Sequence, residues 1–341
     1  MFEYFSLYEE KNDGPAALIF CDGKIIGARL DRLGLRPLRS IETTEYLAVM
    51  SEAGQIDFPS ETILNLGRIE AGGILYFDHN DAKIYNTATA INKLTSLRDY
   101  KSLIKKYRIN LSDIASKSYE KNQLNNYEGN FTLYGRYVSY SHNQESFKFL
   151  MDPMLATGQE KISAMGYGAA INALSEHEGG IAKFFSQRFA QVTNPPLDSI
   201  REQQGMTLRV ALGSKPKFTS SKNKQIILSS PILTQDDLNR LKDQEIVPIK
   251  SFDMTFQPDL VNETNNESIF VEELNGLIKK ICNFAKSKGG IVILSDLNID
   301  KNTAPIPMIL AVSALNQALI DNGLRMNVSL VLETGQISSS H

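Results

Sequence analysis

The stretch Gly289-Gly-Ile-Val-Ile-Leu-Ser-Asp296 decides the fold of the C-terminal half. Its apolar run hardly alternates with polar residues, the pattern of a strand covered on both faces. The glycine pair after Lys288 suits a helix end and a strand start, because no Walker or Rossmann pattern follows it. Residues 271–286 before it read as a helix. Residues 307–322 after it read as another, with Pro305 and Pro307 where a helix begins. Asn327-Val-Ser-Leu-Val-Leu-Glu333 reads as a second buried strand. Strand, helix and strand predict a βαβ unit in a parallel sheet.

Working toward the N-terminus, Ile226-Ile-Leu228 reads as a short strand, and Thr234 as a helix N-cap with an acid at the third helical position. Ile181, Phe184, Phe185, Phe189 and Val192 fall on one helical face. The first 95 or so residues read differently. Ala16-Ala-Leu-Ile-Phe-Cys21, the turn dipeptide Asp22-Gly23 and Lys24-Ile-Ile-Gly-Ala-Arg-Leu30 predict a hairpin. Residues 46–50 and 74–77 read as further strands, separated by glycines. A helix is expected near 97–107, then a polar connection rich in Lys, Asn, Ser and Tyr. The expected organisation is residues 1–110, a linker over 111–150, and a second domain over 151–341.

A chain of 341 residues fits about two domains. With 42% hydrophobic residues it can build a core of ordinary size. A net charge of −3 gives no electrostatic footprint for nucleic acid or an anionic membrane. Two cysteines, Cys21 and Cys282, make neither a disulfide framework nor a zinc or iron–sulfur motif, and they suit a reducing cytoplasm. Met1-Phe-Glu-Tyr is not a signal-peptide start, and no run approaches ~20 apolar residues. The four histidines are scattered, with no pair at metal-ligand spacing.

Two constellations stand out. The first is Asp13-Gly-Pro-Ala-Ala17 with Asp31-Arg-Leu-Gly-Leu-Arg-Pro-Leu38, where Asp13, Gly14, Asp31, Gly34 and Arg36 are the scaffold candidates. A turn with solvated charges is the structural reading. The second is Phe189-Ala-Gln-Val-Thr-Asn-Pro-Pro-Leu-Asp-Ser-Ile-Arg-Glu202. Two prolines fix its backbone and hold Asn194 extended, and Asp198 can cap the helix that begins near Ile200. An architectural corner is the structural reading here.

Together with Ser51-Glu-Ala-Gly54 and Gly67-Arg-Ile-Glu-Ala-Gly72, the first constellation resembles the later half of a type-2 glutamine amidotransferase domain. The second, with the stretch ending Glu333-Thr-Gly-Gln336, resembles the central domain of the glutamate synthase large subunit. The resemblance implies α+β followed by α/β: part of a β-rich N-terminal-nucleophile domain, then an α/β central domain with parallel βαβ units. It also implies a role in making two glutamates from glutamine, 2-oxoglutarate and a reductant, with ammonia channelled between domains. Thr193, Asn194, Asp198 and Arg201 become candidates for the tunnel or an interface.

The family's catalytic cysteine is the first residue of the mature chain, where its α-amine activates the thiol. This chain reads Met1-Phe2, so no catalytic residue is assigned, and Cys21 is expected to be a buried structural thiol. FMN and a 3Fe–4S cluster belong to the complete enzyme, and neither is expected here. The expected partners are polypeptides carrying the missing amidotransferase and FMN domains and a small NADPH-oxidising subunit. A non-catalytic relic or docking fragment is the alternative. A purine-type amidotransferase is disfavoured, since no acidic phosphoribosyl-pyrophosphate loop occurs. Gln336 stands where the family carries an acid, and Glu10-Lys-Asn12 where it carries Glu-Pro-Trp.

Overall fold

A computed structural model describes residues 1–8, 14–115, 133–160, 185, 208–215 and 224–337. These divide into two compact units, Met1–Lys106 and the described residues from Tyr107 onward. Mixed α/β structure in several sheets results.

The first unit contains α1 (Phe2–Phe5), β1 (Ala17–Cys21), β2 (Ile25–Leu30), β3 (Arg39–Thr43), β4 (Leu47–Met50), β5 (Ile63–Arg68), β6 (Ile74–Asp78), β7 (Lys83–Tyr85), α2 (Thr87–Ser96) and the start of α3 (Tyr100–Tyr107). One antiparallel sheet has the order β1-β2-β6-β7, and a second the order β4-β3-β5. The expected hairpin forms. Asp22 Oδ1 accepts from the backbone N–H of Lys24 (2.8 Å) and Ile25 (2.7 Å), and Gly23 takes φ +86°, which favours glycine. Strand pairing puts Ala28 and Leu30 on one face of β2, where they pack with Leu38 and Ile69. The opposite face carries Ile74 and Tyr76, which pack with Ala90 of α2. Strand β1 is different: all five residues are exposed, including Leu18 (56%), Ile19 (61%) and Phe20 (40%). Cys21 at its end is therefore exposed too, which corrects the expectation of a buried thiol. Among the described residues β1 pairs only with β2 and lies at the edge of its sheet.

The second unit contains β8 (Arg108–Asn110), α4 (Leu133–Ser139), a π turn (Ser146–Met151), α5 (Asp152–Thr157), β9 (Val210–Leu212), β10 (Gln225–Leu228), α6 (Gln235–Asp243), β11 (Ile249–Asp253), β12 (Thr255–Phe256), α7 (Asn266–Ser287), β13 (Gly290–Ser295), β14 (Ala304–Pro305), α8 (Met308–Asp321) and β15 (Val328–Glu333). Strands β11, β13 and β15 are parallel, with β13 in the middle. Helices α7 and α8 lie between them in sequence. Period-2 geometry sends alternate β13 side chains into two cores. Val292 and Leu294 join Leu277, Ile281, Ala311 and Leu315 from the two helices. Ile291 and Ile293 join Ile226 of β10 and Leu238 and Leu241 of α6.

That double covering explains the near-continuous apolar run at 290–295. The glycine pair is also accounted for. Gly289 closes α7 at φ +67°, its N–H donating to Phe284 O, and a Cβ on Gly290 would overlap the Pro248 carbonyl oxygen. In a second small sheet β10 pairs parallel to β8 and antiparallel to β9, while β12 and β14 pair with each other. Helix α6 starts with the anticipated cap: Thr234 and Asp237 form a full capping box. The polar connection contributes more than spacing. Leu111 is buried in the core with Ile226, and residues 133–139 are helical. No helix among the described residues is long and apolar enough to cross a membrane.

Candidate functional site

Asp31 organises the first constellation. Its Oδ1 accepts from the N–H groups of Ala16 (3.4 Å) and Arg36 (3.3 Å), and its Oδ2 from Leu35 (3.0 Å). Its main-chain oxygen accepts from Gly34 and Gly72. Burial alone would raise its pKa, but the backbone N–H donors from Leu35, Arg36 and Ala16 prevail and hold the carboxyl below its usual range. Gly34 sits at φ +67° with Ala71 Cβ 3.0 Å from where its own Cβ would be, so the loop needs glycine there. Arg36 gives its N–H to Asp31 and is exposed, as is Gly14. Asp13 lies outside the described residues. Asp31 and Gly34 thus form a loop brace at the end of β2. The carboxylate accepts from backbone N–H groups.

A second brace lies between β6, β7 and α2. Lys93 Nζ donates to Asp78 Oδ2 (2.7 Å), Asp81 Oδ2 (2.9 Å) and Tyr85 Oη (3.0 Å). The Lys93 hydrogen bond holds Asp78 down at about 2, with help from the N–H of Asn80. Lys93 is shifted upward in turn, chiefly by Asp78.

In the second unit Asp296 is fully buried where β13 ends. Its Oδ2 accepts from Thr334 Oγ1 (2.5 Å) and Gln336 Nε2 (2.8 Å), and its Oδ1 from Gly335 N (3.3 Å). Gln336 Oε1 in turn accepts from Met308 N at the start of α8. Tyr140 Oη donates to Asp296 O (3.1 Å), and its ring occupies the space a Gly335 Cβ would need. His142 Nε2 lies 2.7 Å from Gly335 O; since a carbonyl only accepts, that nitrogen carries the proton. Residues 334–336 are therefore locked from both sides.

Beside this loop, at the carboxyl ends of β11 and β13, opens a cleft of about 410 Å³ lined by Lys242, Ser251, Asp253, Ser295, Asn298 and Glu333 among others. Its charges are matched internally. Lys242 Nζ meets Glu333 Oε1 at 2.7 Å, and Asn298 Nδ2 donates to Asp253 Oδ2 at 2.8 Å.

Thr193, Asn194, Asp198 and Arg201 lie outside the described residues. Sequence reasoning missed Asp296, Tyr140 and His142. An acid directly after a buried parallel strand was the available signal for the first of them. Cys282 is half-buried, and burial raises its thiol pKa, away from a nucleophile's requirement. Among the described residues no three His, Cys, Asp or Glu side chains gather as a metal-ligand set.

Two family matches follow each other along the chain. Residues 1–103 match the class-II glutamine amidotransferases, and residues 135–341 match the glutamate synthase central domain. The chain is similar to a ferredoxin-dependent glutamate synthase of Cyanidium caldarium, with 32% identity over 100% of this chain and 22% of that protein. It is similar to the glutamate synthase [NADPH] large chain of Bacillus subtilis (strain 168), with 31% identity over 100% of this chain and 22% of the relative. A chloroplastic ferredoxin-dependent glutamate synthase of Spinacia oleracea is 29% identical over 100% of this chain and 21% of its own length. The chain thus spans about a fifth of the length of these curated relatives.

Proposed function

From the premise that this chain belongs to the glutamate synthase family, we propose that it supplies the end of the amidotransferase domain and the central domain of such an enzyme. The domains would run over residues 1–110 and 151–341, with 111–150 between them. The observation that carries this reading is collinearity: the two family matches follow each other in order, and full-length relatives align across 100% of the chain. The open edge of β1 supports it, because Leu18, Ile19 and Phe20 offer an apolar strand edge to further amidotransferase structure.

The reaction proposed for the assembled enzyme takes glutamine, 2-oxoglutarate and two electrons to two glutamates. This chain would shape the route of ammonia, with Thr193, Asn194, Asp198 and Arg201 bordering it and the Asp31 brace supporting the amidotransferase side. A 3Fe–4S cluster held by three thiolates does not fit a chain with two cysteines. We place the cluster and FMN in other parts of the enzyme. Ferredoxin-dependent and NADPH relatives match at 32% and 31% identity, which supports an electron donor chosen outside this segment. A cytoplasmic setting and a small NADPH-oxidising partner belong to the same proposal.

The test is reconstitution. The chain is combined with polypeptides carrying a cysteine-first amidotransferase half and a flavin-binding barrel, and glutamate formation is followed. Activity that needs this chain, glutamine and 2-oxoglutarate together is expected. A mixture equally inactive with and without the chain, and no complex on sizing, would favour the relic reading. Glutaminase activity of the chain alone, lost in Cys21→Ser, would also sink the proposal.

A further inference from the structure

The two antiparallel sheets of the first unit leave four edge strands among the described residues, β1 and β7 of one sheet and β4 and β5 of the other. Three of them are guarded. Strand β7 is three residues long and carries Lys83. Strand β5 carries Arg68 and lies against an irregularity in β3. The side chains of β4 are all partly or fully buried. Strand β1 has none of these protections. Ala17-Leu-Ile-Phe-Cys21 contains no charge, no proline and no bulge, and each of its residues is exposed. Edge strands are normally blunted by the devices that β1 lacks.

Its backbone is open as well. At the hairpin the N–H of Asp22 donates to Ile25 O, and at the far end the N–H of Asp31 donates to Ala16 O. These bonded pairs bracket the β1–β2 ladder, and antiparallel pairs alternate between bonded and non-bonded. Leu18 and Phe20 therefore turn their backbone groups toward β2. Ala17, Ile19 and Cys21 turn theirs outward, and no described strand pairs with that side.

This outward row is symmetric about Ile19. Laid antiparallel against itself with Ile19 opposite Ile19, the strand brings Ala17 opposite Cys21 and Leu18 opposite Phe20. The outward residues of each copy then face those of the other and close about six main-chain hydrogen bonds. The pairing covers Leu18, Ile19 and Phe20, with the exposed Ile26 of β2 beside them on the Ile19 face. Asp22 of each copy falls opposite Ala16 of the other, at opposite ends of the pair, so no like charges meet across it. A two-fold axis at Ile19 makes the contact isologous and closed, so growth stops at two copies.

We propose that the chain pairs with a second copy of itself through β1, which joins the two β1-β2-β6-β7 sheets into one continuous sheet about a two-fold axis at Ile19. The inference stands apart from the glutamate synthase reading, since it concerns the chain alone. It also bears on that reading: an amidotransferase half that docks on the β1 edge has to displace the second copy, so the two exclude each other there.

The test is sedimentation velocity of the 341-residue chain under reducing conditions. A reversible dimer with a dissociation constant below about 300 μM is expected, the weak range that suits a small interface, and a chain still monomeric at that concentration overturns the proposal. Ile19→Lys replaces an exposed side chain and sets two ammonium groups face to face on the axis. It should weaken the dimer by about tenfold or more, and undiminished affinity overturns the proposal. Cysteine pairing checks the register. Ala17→Cys faces Cys21 of the second copy, and oxidised glutathione, which takes up the two electrons, should link them into a covalent dimer. Leu18→Cys points to the opposite sheet face and should link about tenfold more slowly. Equal linking in the two variants overturns the two-fold pairing at Ile19.

Discussion

Gln336 Nε2 donates to Asp296 Oδ2 at 2.8 Å while Gln336 Oε1 accepts from Met308 N, so one side-chain amide joins a buried carboxylate to a helix start. An amide does both at any pH, because it donates at one end and accepts at the other, whereas an ionised carboxylate only accepts. Gln336→Glu would keep the acceptor for Met308 and replace the donor with a second carboxylate. Two carboxylates at that distance in a buried site repel, so the variant should lose roughly 2–4 kcal/mol at pH 8. Acid that protonates one of the pair should recover part of the loss. Denaturant melts at pH 8 and pH 5 decide it; a variant as stable as the parent at pH 8 contradicts this account.

The Asp78–Lys93 pair sets an acid limit for the first unit. Asp78 is held at about 2, below its ordinary 3.8, chiefly by the Lys93 hydrogen bond. A carboxyl depressed in the folded state adds stability that is fully present above 3.8 and is lost as pH falls through about 2. Between pH 5 and pH 2.5 the parent chain should therefore lose more stability than Asp78→Asn, which has no proton to take up at that position. Equal losses across the two titrations would show that the pair does not act in this way.

Two glycines test opposite expectations. Gly276 lies within α7, and nothing comes within 4 Å of the place a Cβ would take, so Gly276→Ala should stabilise by about 0.5–1 kcal/mol. Gly290 sits at φ +111° with the Pro248 carbonyl in the way, so Gly290→Ala should cost upward of about 3 kcal/mol. Thermal melts of the two variants check the pair, and the contrast fails if they shift in the same direction.

What could be read ahead follows from where the information lies. The run at 290–295 was legible because both of its faces are covered, so its pattern needs no partner to be recognised. The Thr234–Asp237 cap was legible because its residues sit three apart. Strand β3 was not: of its five residues only Ile41 and Thr43 point inward, and Ile41 alone is apolar. Strand β5 carries Leu64 and Leu66 on its exposed side, 63% and 67% accessible, which inverts the usual inward pattern. The Asp296 cluster was hidden for another reason. Tyr140 reaches Asp296 across 156 residues and His142 reaches Gly335 across 193, and no local spacing encodes such pairings. The Asp31 brace falls between these extremes, since its polar residues stood out and their backbone partners did not.

Strand β1 yields the last prediction. Register places Ile19 opposite Ala28 and Cys21 opposite Ile26, so Ile19 and Ile26 share one face, and both are exposed, at 61% and 47%. An open apolar edge strand recruits another strand, and a lysine there is the usual way to prevent it. Ile19→Lys should leave the folded unit within about 0.5 kcal/mol of the parent, because the side chain it replaces is not buried. The same change should lower self-association on sizing and abolish capture of a cysteine-first amidotransferase half. If that half binds the variant as tightly as the parent, the β1 edge is not where the two meet, and the partner surface of this unit must lie elsewhere.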